Sequence, residues 1–518
     1  MPIYQTHSFW NYIANESETI INKVKDLLYI EKYNYETKDY EIAHYFQEVA
    51  KLKIEDSVYI TLRVPAGLTQ YLLDKTTLLL EKKEYPEKRY SENEILRVAE
   101  EIKQINPQFE IREYQTEAAL TSLNQFQSLI EASVGSGKTS IMSFVCKILE
   151  NEKILILNDN NFILDQIYKR LLSFGLTSIS WNLSKDPDYT KNIVILNTSG
   201  SDAKLNKQDP DYIKYLQNVH TIIYDEAQHV QSLTFFEPIL YTDPEKLKHI
   251  IGYSGSPFRC YKHPYDDFDD FRTIAILGEP AFKYTMSDAI KDGNIAQPYG
   301  YFIRYNNKPG YVPEQFKDNY FMQYRANIIY NKNRNKAGLE MLKFLNKHNI
   351  KTLASFNNIK PGQNMMKMLK EEGISAIFSC GNETLYEWLP NKRGTLKLDV
   401  RKGNTDDIKI ALQSGYNIIF GSQVLDEGVD ISEFQAAVLF SAGKTPIAGI
   451  QRIGRASRKR KNELNVSLVI DFQDINGYYK FQEHYILRKQ MMVDSGVKIF
   501  ANVQDFISMV EQISSQNK

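Results

Sequence analysis

With 518 residues the chain exceeds what one hydrophobic core can organise, so two or three domains with connecting segments are expected. A formal net charge of -1 and an isoelectric point near 6.7 exclude a globally polyanion-seeking protein, and any nucleic-acid contact must come from local basic patches. Cys146, Cys260 and Cys380 are too scattered for a disulfide framework or a zinc site. The start lacks a basic region followed by an apolar run, and no stretch of about 18 apolar residues occurs, so a soluble, cytoplasmic protein without membrane contact is expected.

Residues 1 to about 105 are rich in tyrosine and mixed charge, with amphipathic stretches such as EIAHYFQEVAKLKI and the apolar run QYLLDKTTLLL. They carry no motif with chemistry and read as a small accessory domain. Its boundary falls near KQINPQF, where Pro107 disfavours helix in the preceding residue. From Ser128 onward, SLIEAS, KILILND, NIVILNTSG, TIIYDEA and HIIGYSGS are short, apolar and β-branched, as buried parallel strands are, and helical periods separate them. The pattern returns after residue 340 in KTLASFNN, SAIFSCG, NIIFGSQ, AAVLFSAG and SLVIDFQD. Two tandem α/β domains with parallel sheets are expected, joined by an irregular piece around AQPYGYFIRYNNKPGYVPEQ.

The stretch EASVGSGKTS fits the phosphate-loop template with Ala132 where its first glycine stands, followed four spacers later by Gly137, Lys138 and Thr139. Glycines let successive backbone N–H groups turn inward, and the following helix adds its positive end. Val134, Gly135, Ser136, Gly137, Lys138, Thr139 and Ser140 are therefore candidate polyphosphate-binding residues, with Lys138 reaching the β and γ phosphates and Thr139 a magnesium ligand.

TIIYDEAQH ends an apolar strand in two carboxylates, Asp225 for magnesium and Glu226 for polarising an attacking water, which points to hydrolysis as well as binding. In QRIGRASRKR, Arg455 and Arg458 lie three apart on one face of an expected helix and could converge on one anion; taken alone, a solvated basic face explains them better.

In this order the motifs resemble those of superfamily 2 helicases over roughly residues 110 to 475. REYQTEAA resembles the adenine-recognition motif through Gln115, and IGYSGSPFR the coupling motif through Ser254 and Ser256. GSQVLDEGVDI resembles the motif in which Glu427, Gly428 and Asp430 lie between nucleotide and nucleic acid. QRIGRASR resembles the arginine-finger motif at Gln451, Gly454, Arg455 and Arg458. The acidic motif reads Asp-Glu-Ala-Gln and the coupling motif Ser-Gly-Ser, which makes RNA the less favoured substrate. In texture the chain is similar to phage-type DNA branch-migration and fork helicases.

That resemblance implies an ATP- and Mg2+-dependent DNA helicase acting on forked or branched DNA with single- and double-stranded regions, a monomer sufficing, in the host cytoplasm if the protein is viral. It implies an accessory, DNA-binding segment at 1–105, RecA-like domains at 106–297 and 326–475, a linker at 298–325 and C-terminal helices at 476–518. Gln228 and His229 would couple the nucleotide to the second domain, although His229 could equally pack locally. Asn197, Thr198, Ser422 and Gln423 would hold phosphates of one strand. A double-stranded-DNA translocase serving a larger restriction or remodelling machine, and an ATP-gated clamp, are the alternatives.

Residues 383–403 look inserted and alternate like a hairpin around Lys392, Arg393 and Gly394, with Tyr386 and Trp388 as rings able to stack on bases. A strand-parting hairpin and a solvated surface hairpin both fit. YDDFDDF, residues 265–271, lacks the ligand spacing of a calcium loop and reads as an exposed acidic loop.

Overall fold

The computed structural model describes residues 2–5, 10–34, 39–44, 47–54, 57–76, 78–82, 90–133, 135–182, 186–259, 264–306, 308–380, 384–391, 394–403, 405–421, 433–442, 465–475 and 478–516. The chain divides into two compact units, Met1–Ala132 with Gly137–Tyr284, and Ser133–Ser136 with Thr285–Lys518.

The first unit opens with β1 (Pro2–Gln5), β2 (Trp10–Ser17), β3 (Tyr29–Asn34), β4 (Asp39–His44), β5 (Gln47–Ile54), β6 (Ser57–Pro65) and β7 (Leu79–Lys82). Five of these form a sheet in the order β5-β6-β2-β1-β7, while β3 and β4 pair as a separate antiparallel hairpin. Ile13, Leu62 and Val64 from this sheet, Ile21 and Val24 from helix Glu18–Leu27 and Leu72 from helix Thr69–Lys75 are buried in one apolar cluster that continues into the following α/β domain through Ile274 and Leu277. The N-terminal segment therefore shares its core with its neighbour.

After helix Glu92–Ile105, whose first turn is closed by reciprocal bonds between Ser91 and Glu94, the α/β domain begins with helix Glu113–Leu123. Its strands are β8 (Gln127–Ala132), β9 (Ile154–Asn158), β10 (Ile179–Ser180), β11 (Ile193–Asn197), β12 (Thr221–Asp225), β13 (His249–Ser254) and β14 (Pro280–Tyr284). Among the described residues they form a sheet in the order β10-β11-β9-β12-β13-β8-β14, parallel throughout. Every residue of β9, β12 and β13 is buried, as a sheet covered by helices on both faces requires.

The second unit holds β15 (Gln297–Ile303), β16 (Thr352–Ser355), β17 (Ala376–Cys380), β18 (Thr384–Pro390), β19 (Leu396–Lys402), β20 (Ile418–Gly421), β21 (Ala436–Leu439), β22 (Val466–Phe472) and β23 (Lys498–Ile499). Their order is β19-β18-β17-β20-β16-β21-β22-β15-β23, with β18 and β19 antiparallel at one edge and the rest parallel. Two observations differ from the sequence expectation. AQPYGYFI, expected to be irregular, supplies β15, which pairs with β22 over Gln297–Ile303; its alternation of half-buried tyrosines with Pro298, Gly300 and Ile303 hides a strand. The inserted hairpin is real, but its root belongs to the sheet: Thr384–Glu387 pair with Ile377–Cys380 of β17.

A buried charge network holds the far end of β22. Arg334 donates to Asp474 through Nε at 2.9 Å and to the Phe440 carbonyl through Nη1 at 2.8 Å, with its guanidinium 3.9 Å from the Phe472 ring centroid. Arg488, from helix Tyr479–Asp494, bonds Asp471 at 2.7 Å and Asp474 at 3.1 Å, and Tyr305 donates to Asp474 at 2.7 Å. All four charged side chains are buried. Removing a single member would strand uncompensated charge in a low-dielectric interior, which is why they occur together. No helix among the described residues is long and apolar enough to cross a membrane.

Candidate active site

The site gathers at the C-terminal ends of β8, β12 and β13, where an open α/β sheet exposes its loops. β8 runs to Ala132, which is fully buried and pairs with Tyr284 of β14. Ala132 is absent from the residues with positive φ, whereas Gly135 and Gly137 both have φ of 84°. The glycine missing from the template thus falls on extended backbone that any residue adopts, and the two positions needing left-handed backbone keep theirs.

Gly137 caps helix Lys138–Ile148, so Lys138, Thr139 and Ser140 occupy the first turn, the helix end that favours an anion, with the Ser140 N–H donated to the Gly137 carbonyl at 2.8 Å. Gln115 lies over the loop: a Cβ on Gly137 would fall 2.8 Å from its Nε2, and its Oε1 accepts the Arg112 N–H at 3.1 Å. Ser140 is turned toward helix Asn161–Ser173, its Oγ accepting from Arg170 Nη2 at 2.6 Å and Nε at 3.2 Å. Ser136 is buried; Val134 lies outside the described residues.

Asp225 is the last residue of β12 and is buried. Burial first, and the neighbouring Glu226 charge second, push its carboxyl up from the usual 3.8 to about 7, against the opposing pull of Lys138. A buried carboxylate held this poorly is one that a cation would relieve, and the oxygen-rich pair Asp225 and Thr139 suits a hard divalent ion. Asn158, at the end of the adjacent β9, fixes the strand end by donating to the Asp225 carbonyl at 3.1 Å.

Glu226 follows in left-handed backbone, φ 56° and ψ 57°, an uncommon conformation for a residue with a side chain and one that clusters at working sites. From it runs a chain of hydrogen bonds: Gln228 Nε2 donates to Glu226 at 2.9 Å, Ser254 Oγ donates to Gln228 Oε1 at 2.5 Å, and the Ser256 N–H donates to Ser254 Oγ at 3.1 Å. Gln228, Ser254 and Ser256 are all buried. His229, the other coupling candidate, packs its ring toward Phe235 at 6.2 Å.

The remaining candidates divide. Asn197 caps helix Thr198–Asn206, accepting from Ser199 and donating to the Asp159 carbonyl at 2.6 Å and to Asn161 at 3.0 Å, and Thr198 is buried. In the second unit, Trp388 donates from its indole to the Gln363 carbonyl at 2.9 Å, with Lys367 lying 5.4 Å from its ring. Ser422, Gln423, Glu427, Gly428, Asp430, Gln451, Arg455 and Arg458, and the hairpin-tip Lys392 and Arg393, lie outside the described residues.

One expectation is corrected. Within YDDFDDF, Asp267 caps helix Phe268–Leu277, and Asp269 and Asp270 are buried, Asp270 accepting the Arg259 N–H at 2.8 Å and Asp269 pairing with the Arg259 guanidinium. The dense acids look solvated in one dimension because their partner, Arg259, lies ten residues upstream of Asp269 and eleven of Asp270.

Comparison with known proteins decides what bears this arrangement. The family described as type III restriction enzyme, res subunit, matches residues 108–259, and the helicase conserved C-terminal domain matches residues 363–460. The chain is a superfamily 2 helicase. As such it is an ATP-hydrolysing enzyme that acts on nucleic acid. The helicase is 24% identical over 472 residues to helicase 22 of Sulfolobus islandicus filamentous virus (isolate Iceland/Hveragerdi), covering 86% of this chain and 75% of that protein. It is 33% identical over 86 residues to ATP-dependent DNA helicase mph1 of Aspergillus terreus (strain NIH 2624 / FGSC A1156), a stretch covering 17% of this chain but only 8% of that protein. Its fold matches S. cerevisiae Dbp5 bound to RNA and ADP BeF3 at a TM-score of 0.52 and 14% identity, over 81% of this chain and 97% of that one.

Proposed function

We propose that this helicase couples ATP hydrolysis to translocation along DNA and to unwinding and branch migration of forked or branched DNA. The observation that carries the proposal is the hydrogen-bonded run from Glu226 through Gln228 and Ser254 to Ser256. It joins the residue that polarises the attacking water to a buried loop that can respond when hydrolysis is complete, and an enzyme that only hydrolysed ATP would not need it.

In this reading Gly135 and Gly137 turn backbone donors toward the phosphates, Lys138 presents its ammonium to the β and γ positions, and Gln115 faces the adenine. Thr139 and Asp225 are the oxygens that would hold Mg2+, which when bound neutralises charge on the phosphates. Glu226 orients water for attack. By resemblance to the family's motifs, Gln451, Arg455 and Arg458 would act on the γ phosphate, and Gly428 and Asp430 would take part in binding the nucleotide. Separating a base pair costs about 1.4 kcal/mol, a step that one nucleotide cycle can drive. The preference for DNA is supported by the mph1 likeness and by the SGS coupling motif, and a monomer suffices.

A second reading, a double-stranded-DNA translocase within a restriction-type assembly, is favoured by the match of residues 108–259 to a restriction-enzyme subunit family. Measuring ATPase and strand separation side by side on forked DNA, four-way DNA, single strands, blunt duplex and RNA duplex separates them. Forked and four-way DNA should give both the strongest stimulation and strand separation. Stimulation by blunt duplex with no strand separation would favour the translocase, and a preference for RNA would overturn both.

A further inference from the structure

Helix Phe268–Leu277 stands between the candidate active site and the N-terminal segment, and it is tightly packed on both. Toward the site, a Cβ on Gly252 of β13 would fall 2.4 Å from Leu277 Cδ1 and 2.9 Å from Ala227 Cβ. Helix, coupling strand and acidic-motif turn thus meet at a position with no room for a side chain. Gly252 lies two residues before Ser254, and Ala227 directly follows Glu226. At the helix start, Asp270 and Asp269 grip Arg259, three residues beyond Ser256, by backbone and guanidinium respectively. Arg272 adds a bond to the Gln231 carbonyl at 3.2 Å.

Toward the N-terminal segment the packing is equally close. A Cβ on Gly67 would fall 2.1 Å from the Ile274 carbonyl oxygen and 2.9 Å from the Gly278 nitrogen. Tyr71 stacks on Tyr265 with centroids 4.7 Å apart and meets Phe271 edge-on at 5.5 Å. A helix held by its Leu277 side chain against Gly252, by the Asp270 carboxylate on the Arg259 backbone and by its own backbone at Gly67 has little slack to absorb a displacement; close-packed interiors pass such shifts on.

We propose that helix Phe268–Leu277 transmits changes at the nucleotide site to the N-terminal segment, with Arg259, Asp269 and Asp270 as its positioning residues. The proposal rests on the reading of Lys138 and Asp225 as the nucleotide site. When the hydrogen bonds around Ser254 and Ser256 rearrange, the Arg259 backbone moves with them, and Asp270 carries that movement into the helix and on to Gly67. The N-terminal segment then reports the nucleotide state without touching the nucleotide.

The test is hydrogen exchange of the full chain over residues 57–76, with and without saturating ADP and beryllium fluoride, in the wild type and in Arg259→Gln, Asp270→Ala and Gly67→Val. The wild type should exchange at least threefold more slowly in this stretch with nucleotide. Each variant should lose that response while its KM for ATP stays within twofold, Arg259→Lys should recover part of it, and Arg259→Gln combined with Gly67→Val should be no worse than either alone. An undiminished response in Arg259→Gln and Asp270→Ala, or no response in a wild type that hydrolyses ATP normally, overturns the proposal. A wild type with no ATPase would instead fail the nucleotide-site reading.

Discussion

Two buried aspartates at the C-terminal ends of parallel strands have opposite lives. Asp474, just beyond β22, is bonded to Arg334, Arg488 and Tyr305; burial works against its charge, but the two guanidinium groups prevail and hold its carboxyl below the usual 3.8. Asp225, at the end of β12, has Lys138 and the Glu226 backbone N–H pulling against burial and against the Glu226 charge, and its carboxyl still rises to about 7. The first is a structural charge whose partners come with the fold. The second is left under-compensated, which costs stability and leaves an anionic site for a cation. Asp471, beside the first, is raised by burial despite Arg488.

The largest expected effect comes from removing the cation beside Asp225. Lys138→Ala should cut ATP turnover by at least about 10² to 10³-fold, as losing one preorganised charge does, and should drive the Asp225 carboxyl still higher. Steady-state ATPase together with a thermal melt checks this; wild-type turnover in a folded variant would remove Lys138 from the site. Next is Asp474→Ala, which strands Arg334 and Arg488 and should destabilise the second unit by about 3–5 kcal/mol in urea unfolding. A loss under about 1 kcal/mol would mean the network is not what holds the end of β22.

Smaller, but diagnostic, is Asp225→Asn. Because its folded carboxyl titrates above the unfolded value, the folded state binds the extra proton between about pH 4 and 7. Stability from this group should therefore fall as pH rises through that window and be lowest above about pH 7. Asp225→Asn should flatten that slope and gain about 1–2 kcal/mol at pH 8. Asp474 predicts the reverse: its contribution is present above the usual carboxylate range and is lost only as pH falls below 3.8. An unchanged slope in Asp225→Asn would break the contrast. Smallest is Asn197→Ala, which should cost about 1 kcal/mol as a lost helix cap. Nucleic-acid affinity weakened well beyond that would make Asn197 a phosphate contact as well.

What could be read from the sequence follows from how local each determinant is. The ten short apolar runs became strands because a strand buried on both faces needs little more than its own β-branched residues. Gly135, Gly137, Lys138, Asp225 and Glu226 were legible because their spacing is contiguous with a strand end. Partners distant in sequence escaped: the Arg259 contacts of Asp269 and Asp270, the Arg170 bond to Ser140, and the Asn158 clamp on Asp225, although a polar residue closing the run KILIL was a usable hint. Strand β10, two residues long, and β14 and β15, which open on or next to proline, lack the apolar density that betrays the others. The buried network of Arg334, Asp471, Asp474 and Arg488 draws on residues up to 154 apart, beyond any local pattern.

The hairpin β18–β19 lengthens the second sheet and, among the described residues, leaves β19 as an edge strand without a partner along one side. Such an edge invites another chain to add on, and Lys397, Arg401 and Lys402, all exposed on β19, are the residues that discourage it. Whatever else those charges do, like charges brought together along an open border weigh against a second copy adding to it.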